Sequence, residues 1–186
     1  KAMVERDERQ IQSLIRLIED MLDVSRIRTG KLSIRPGQFD LSRLVSTLVE
    51  TFAPQISAAQ SSVNLNAESP VVGLWDEFRI EQVVSNLLTN ALRYGAKSPI
   101  DVSVYVEGEN AIVEVRDQGI GISEENQQRI FQQFERVSAK HAVAGLGLGL
   151  FISEQIVAAH GGKITVQSAL GEGAVFRVSL PLAQNA

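Results

Sequence analysis

An α+β fold, with one mixed, mostly antiparallel sheet, helices on one face and a long helix ahead of it, is predicted by three observations. Apolar residues within 1–30 recur at three-four spacing; 100–106 and 111–116 alternate apolar and polar across a short turn; helical and strand patterns then interleave without any repeat. With 186 residues, 44% of them hydrophobic, the chain is long enough for one domain with a buried core and a short appendage.

The leading helix carries Ile11, Leu14, Ile18 and Met21, flanked by Ile15 and Leu22, a stripe that needs another helix to cover it. Its charges, Glu5 through Arg9 with Glu19 and Asp20, read as a solvated outer face. The chain opens inside this helical pattern and reads as part of something longer. Gly30 and Pro36-Gly37 stop the helix and leave 30–39 as a linker. Asp40 is the N-cap of a second helix reaching about Ala59, with Leu41, Leu44, Val45, Leu48, Val49 and Phe52 as its buried stripe and Pro54 kinking or ending its first part. Strands at about 62–67 and 71–75 precede a third helix from Asp76 to about Tyr94. In the next pair, joined by Glu107–Asn110, Val102, Val104 and Val106 share one side while Asp101, Ser103 and Tyr105 share the other. A short helix near 124–131, a weakly periodic stretch at 135–146 and a helix ending near His160 follow. Gly161-Gly162 terminates that helix, and His160 reads as a cation capping its negative end. Strands at 163–168 and 174–180, joined by Leu170-Gly171-Glu172-Gly173, close the domain.

The composition excludes several functions. A formal net charge of −4 provides no basic surface for nucleic acid or an anionic bilayer. Without cysteine, and with only His141 and His160 as imidazoles, thiolate and imidazole metal centres are equally excluded. No apolar run of about 18 residues is present, so neither a membrane span nor a signal peptide is expected. The chemistry falls to carboxylates, amides, arginines and backbone.

Three constellations stand out. Along the third helix Arg79, Gln82, Asn86, Asn90 and Arg93 share a narrow polar arc, free to face a ligand, beside the apolar one of Ile80, Val83, Val84, Leu87, Leu88 and Ala91 that anchors the helix. Asn86 and Asn90, at i, i+4, suit a hard cation carried by phosphate oxygens; they equally suit an exposed polar face. Asp117, at a strand end before Gly119 and Gly121, fits either a carboxylate accepting from an exocyclic amine such as adenine's or a turn residue bonding its own backbone. Gly145, Gly147 and Gly149 let main-chain N–H groups crowd an anion at a helix N-terminus, though for a lone repeat close helix packing serves as well. The run has neither the P-loop pattern nor the dinucleotide fingerprint. Arg136, after the hydrophobic anchors Phe131 and Phe134, could reach a terminal phosphate, and Lys140 and His141 lie where a lid or plain exposed loop would be.

Together, Asn86-Leu-Leu-Thr-Asn90-Ala-Leu-Arg93-Tyr94, Asp117-Gln-Gly119-Ile-Gly121, Phe131-Gln-Gln-Phe134-Glu-Arg136 and Gly145-Leu-Gly147-Leu-Gly149-Leu resemble, in order, the N, G1, F and G2 boxes of sensor histidine kinases. The segment Leu17-Ile18-Glu19-Asp20-Met21-Leu22-Asp23-Val24-Ser25-Arg26-Ile27 resembles the second helix of that family's dimerisation and phosphotransfer hairpin. The resemblance implies a partial hairpin and linker at 1–35 and a catalytic ATP-binding domain of the Bergerat (GHKL) α/β sandwich type at 36–186. It implies Asn90 as Mg²⁺ ligand, Asn86 and Arg93 near the phosphates, Tyr94 near the nucleotide, Asp117 on the adenine amine, and Gly119 and Gly121 shaping the pocket. Arg136 would approach the γ-phosphate, Lys140 would close over the nucleotide, and Gly145, Leu146, Gly147 and Leu148 would line the triphosphate. Hydrolytic relatives carry glutamate where Asn86 stands, and an amide cannot serve as that base. The resemblance therefore implies transfer of the ATP γ-phosphoryl group to a histidine and then to the receiver domain of a response regulator. It also implies a parent homodimer through the hairpin, in the cytoplasm, with an anchor in the inner membrane left open. No phosphoacceptor His-Glu/Asp motif lies in this chain, so alone it should bind ATP·Mg without an acceptor. A hydrolytic ATPase of the same fold and a nucleotide-binding module without phosphotransfer are the competing readings.

Overall fold

The computed structural model describes residues 2–67, 69–95, 97–135 and 146–182, with side chains of the first helix described at 11, 14, 15 and from 17 onward. The order is α1 (Ala2–Arg28), β1 (Gly37–Asp40), α2 (Leu41–Thr51), α3 (Ala53–Ala58), β2 (Ser62–Asn66), β3 (Val72–Trp75), α4 (Glu77–Tyr94), β4 (Pro99–Glu107), β5 (Asn110–Asp117), α5 (Glu124–Gln127), α6 (Gly149–Ala159), β6 (Lys163–Ser168) and β7 (Ala174–Pro181). Five strands form a sheet in the order β2-β4-β5-β7-β6, antiparallel except where β2 runs parallel to β4.

Strand alternation decides which face of this sheet is covered. Val102 and Val104 of β4, Val113 and Val115 of β5, and Phe176, Val178 and Leu180 of β7 are buried in one cluster with the apolar stripes of α2, α4 and α6. Each such side chain contributes about 1.5–3 kcal/mol relative to exposure. The helix starts follow the cap chemistry. Asp40 accepts from the N–H groups of Ser42 (2.9 Å), Arg43 (3.4 Å) and Val71 (3.1 Å), tying α2 to the strand beyond it. Asp76 accepts from Arg79 N–H at 3.1 Å to open α4. Pro54 stands at the start of α3 and divides the second helix after Thr51.

Four expectations are corrected. Part of the 30–39 linker is strand β1, which pairs antiparallel with β3 in a separate two-stranded ribbon, so 71–75 lies outside the main sheet. Four residues of mixed polarity carry no periodic signal, and the ribbon is instead fixed by Phe39, whose ring meets Trp75 edge-on at 5.6 Å. The helix near 124–131 is shorter, because α5 ends at Gln127. His160 is no exposed capping cation. It is buried, its Nδ1 lies 2.8 Å from the Ile156 carbonyl, and its Nε2 accepts from Asp76 N–H at 3.0 Å, which requires the neutral ring. Last, the polar arc of α4 does not all face a ligand site, because its N-terminal half holds α1.

That contact centres on Asp23, buried at the foot of α1, where Arg79 Nη1 and Gln82 Nε2 each donate to its Oδ2 at 2.8 Å. Arg79 also donates to Gln82 Oε1 at 2.9 Å. Val24 is buried beside them, whereas Ile11, Leu14, Ile15, Ile18, Met21 and Leu22 remain 44–57% exposed. Among the described residues, no helix is long and apolar enough to cross a membrane.

Candidate nucleotide site

Asp117 ends β5, paired with Ala174 of β7, and is only 6% exposed. Its Oδ1 accepts from Gly119 N–H at 2.8 Å. Burial pushes its carboxyl above the ordinary carboxylate value, while hydrogen bonds from the N–H groups of Gly119 and Ala174 pull it back. The turn reading is the one this contact shows: one oxygen holds the Gly119 turn, in surroundings too crowded for larger neighbours. A Cβ at Gly119 would lie 2.2 Å from the Tyr94 carbonyl oxygen and 2.8 Å from Asp117 Oδ1; one at Gly95 would lie 2.9 Å from Asp117 Cβ. The glycines bring the C-terminal end of α4, with Tyr94 (42% exposed) and half-buried Arg93, against the carboxylate.

Gly121 acts at one remove. At φ +68° its Cβ would fall 1.8 Å from the Ala169 carbonyl oxygen, so it lets the loop lie on the β6–β7 turn. There Gly171 N–H donates to Ile120 O and Ile122 N–H to Ser168 Oγ, each at 2.8 Å.

The other end of the site is the start of α6. Gly147, at φ +69°, packs under 134–135, its carbonyl accepting from Phe134 N–H at 3.1 Å. Leu148 is a buried core side chain and Leu146 is half-buried, so both can meet a phosphate only through backbone. Among the described residues no side chain caps the first turn of α6, whose N–H groups and positive dipole end suit an anion. Asn86 reaches this end across the helix interface, its Nδ2 donating to Ser153 Oγ at 3.0 Å, and half-buried Asn90 follows one turn along α4. Arg136, Lys140, His141 and Gly145 lie outside the described residues.

One helix thus links the two ends. About 1.5 Å of rise per residue separates Asn86 from Gly95 by about 13 Å, the scale of an extended nucleoside triphosphate. These residues fit such a ligand: a buried acceptor walled by glycines at one end, helix N–H groups uncapped among the described residues at the other, and half-buried Asn90 on the helix between. No described group of three or more His, Cys, Asp or Glu side chains could hold a metal by itself, so the amides fit a cation that arrives already bound to phosphate oxygens and water. A cleft of about 420 Å³ between α1, α4 and α6 adjoins the α6 end of the site, lined by Asp23, Arg79, Gln82, Asn86, Gly149 and Ser153 among others.

Sequence reasoning missed Gly95 and Ser153 as site residues, and with them the role of Asp23; Gly149 was read only as part of the glycine run and not as the neighbour of Asn86. Glycine and serine at 149 and 153 stand i, i+4 on α6, a signal that α6 offers a small polar face, but only the fold shows that Asn86 fills it.

Residues 75–184 match the model of the family described as histidine kinase-, DNA gyrase B- and HSP90-like ATPase. The circadian input-output histidine kinase CikA of Synechococcus elongatus is 35% identical over 176 residues, covering 91% of this chain and 23% of that protein. The chain thus spans about a quarter of that relative's length. Among solved structures, full-length ShkA in complex with AMPPNP aligns at a TM-score of 0.81 and 27% identity, over 93% of this chain and 36% of ShkA. The histidine kinase AdeS of Acinetobacter baumannii has the same fold, with a TM-score of 0.81 at 24% identity over 99% of this chain and 86% of AdeS.

Proposed function

Because the chain belongs to the histidine kinase-, DNA gyrase B- and HSP90-like ATPase family, we propose that it is the ATP-binding catalytic portion of a sensor histidine kinase, holding ATP·Mg²⁺ for transfer of the γ-phosphoryl group to a protein histidine. The carrying observation is the span of α4 between buried Asp117 at one end and, at the other, the N-terminus of α6, uncapped among the described residues. Asp117 would accept from the adenine amine, with Gly119 and Gly95 keeping the pocket narrow, Gly121 seating the loop and Tyr94 beside the nucleotide. Asn90 would take the Mg²⁺, which neutralises phosphate charge. Asn86 and Arg93, with the backbone of Gly145, Leu146, Gly147 and Leu148, would orient the phosphates, Arg136 would approach the γ-phosphate and Lys140 would close over the site. Such a site works by positioning and charge neutralisation. Asn86 supports transfer over hydrolysis, since a side-chain amide cannot take a proton from water.

The wider organisation follows from the same reading. Residues 1–35 are the partial phosphotransfer hairpin and its linker, 36–186 the ATP domain. The exposed stripe on α1 supports pairing with further hairpin helices in a homodimer. A receiver domain of a response regulator would accept the phosphoryl group, and consumption of ATP puts the reaction in the cytoplasm.

Calorimetric titration with ATP and a non-hydrolysable analogue, with and without Mg²⁺, tests the reading. Binding of about 5–8 kcal/mol that collapses in Asp117→Ala is expected, followed by phosphohistidine when a hairpin bearing the acceptor is supplied. Absence of binding by the native chain would refute it.

A further inference from the structure

The foot of α1 and the start of α6 share one cleft. Gly149, the first residue of α6, is part of its lining, so the helix end that suits a triphosphate borders it. Another wall is α1, seated on Arg79 and Gln82 through Asp23. The charge on these walls is one-sided. Among the described residues Glu19, Asp20, Asp23 and Glu81 line the cleft against Arg26 and Arg79, a formal excess of two negative charges. Asp23 already stands 2.8 Å from Arg79 and 3.7 Å from Arg26, so both cations face a carboxylate before any ligand arrives.

A triphosphate drawn to the N–H groups of α6 adds negative charge at the edge of a cleft that is already negative. Which wall yields follows from burial. Glu81 rides on α4, whose apolar face is locked in the core, whereas among the described residues of α1 only Asp23 and Val24 are buried. The helix that carries Glu19 and Asp20 is therefore the one held by the smaller contact. We propose that a triphosphate at the start of α6 and the seating of α1 on α4 oppose each other through this charge, so that occupation of the site loosens the foot of α1 and release of α1 tightens the site. The proposal rests on the ATP reading above. Linkage requires the two effects to be equal in factor. Because the coupling is carried by charge, Mg²⁺ weakens it by offsetting part of the phosphate charge, and salt screens it. A coupling carried by packing has neither signature. The leading helix thereby senses whether the nucleotide site is filled.

Hydrogen exchange across 17–28 and calorimetric titration with ATP, on the native chain and on Glu19→Gln/Glu81→Gln, test this. Both glutamates are exposed, so the double substitution removes the excess charge and leaves the Asp23 and Arg79 pair in place. In the native chain at low salt, saturating ATP without Mg²⁺ should accelerate exchange in 17–28 about fivefold or more. The acceleration should be smaller with Mg²⁺ and nearly absent at about 0.5 M salt. The double variant should bind Mg²⁺-free ATP more tightly by a similar factor, and its α1 exchange should respond little to ATP. Val24→Ser, which weakens the seat without altering charge, should also bind ATP more tightly. Unchanged or slower exchange in native α1 at saturating ATP, or an acceleration that persists at high salt or in the double variant, overturns the coupling while native ATP binding keeps the nucleotide reading. No ATP binding by the native chain overturns both.

Discussion

Asp23 of α1 and Arg79 of α4 form an ion pair at 2.8 Å with both side chains almost wholly buried. Gln82 completes it, donating to the same carboxylate oxygen, and Arg26 stands 3.7 Å from the other. Removing one partner leaves a buried charge uncompensated, which costs about 3–5 kcal/mol. Asp23→Ala should therefore release the foot of α1 rather than unfold the domain. Hydrogen exchange across 17–28 should accelerate strongly while the β4–β5 hairpin keeps its protection; unchanged exchange in α1 would show that Val24 and its apolar neighbours hold the helix unaided.

Asp117 is predicted to be costly to the fold. Its folded-state pKa lies above the unfolded one, so its contribution favours the fold below the ordinary carboxylate value and is lost as pH rises through the folded value. At neutral pH Asp117→Asn should melt at the same or a higher temperature than native, yet bind ATP at least about tenfold more weakly. A variant that melts much lower would mean that the Gly119 turn depends on the charge.

His160 has the opposite dependence. Burial lowers its pKa from 6.5, against the upward pull of the Ile156 hydrogen bond and the Asp76 charge, so the unfolded chain binds the extra proton. Its stabilisation is complete above pH 6.5 and is lost as pH falls from there through the folded value. Melting temperature should drop by several degrees between pH 7.5 and pH 5.5, at about 2–4 °C per kcal/mol. His160→Gln should start lower and show a flatter profile; equal slopes would assign the loss to other groups.

The glycines divide sharply. Gly121→Ala combines positive φ with a Cβ 1.8 Å from a backbone oxygen, and should lose more than about 2 kcal/mol together with ATP binding. Gly37→Ala has nothing within 4 Å and should be neutral in thermal denaturation.

What could be read from the sequence was whatever repeats at a fixed period or sits at a fixed offset. The stripes of α2 and α4, the caps Asp40 and Asp76 and the alternation of β4 and β5 were legible because each is decided by residues a turn or a pleat apart. Strand β1 was illegible because it is held by Trp75, far along the chain, and the polar arc of α4 was misread because half of it answers to Asp23. Of the site, Asp117 and the asparagines were visible as residue types at telling spacings. Ser153 and Gly95 were not, since their importance lies in which other helix or strand end they touch.

Trp75 is the single tryptophan of the chain and is fully buried. Its Nε1 donates to the Pro181 carbonyl at 2.9 Å, its ring lies where a Cβ on Gly73 would be, and Phe39 closes over it. The next residue, Asp76, accepts from Arg35 N–H at 2.7 Å in the segment leading back to α1. The protein thereby carries an intrinsic optical reporter at the seam where the segment after α1 meets β3 and the start of α4. Emission from Trp75 should stay blue while the β1–β3 ribbon is seated and shift red when that seam opens, so the movement can be followed in real time without adding a label.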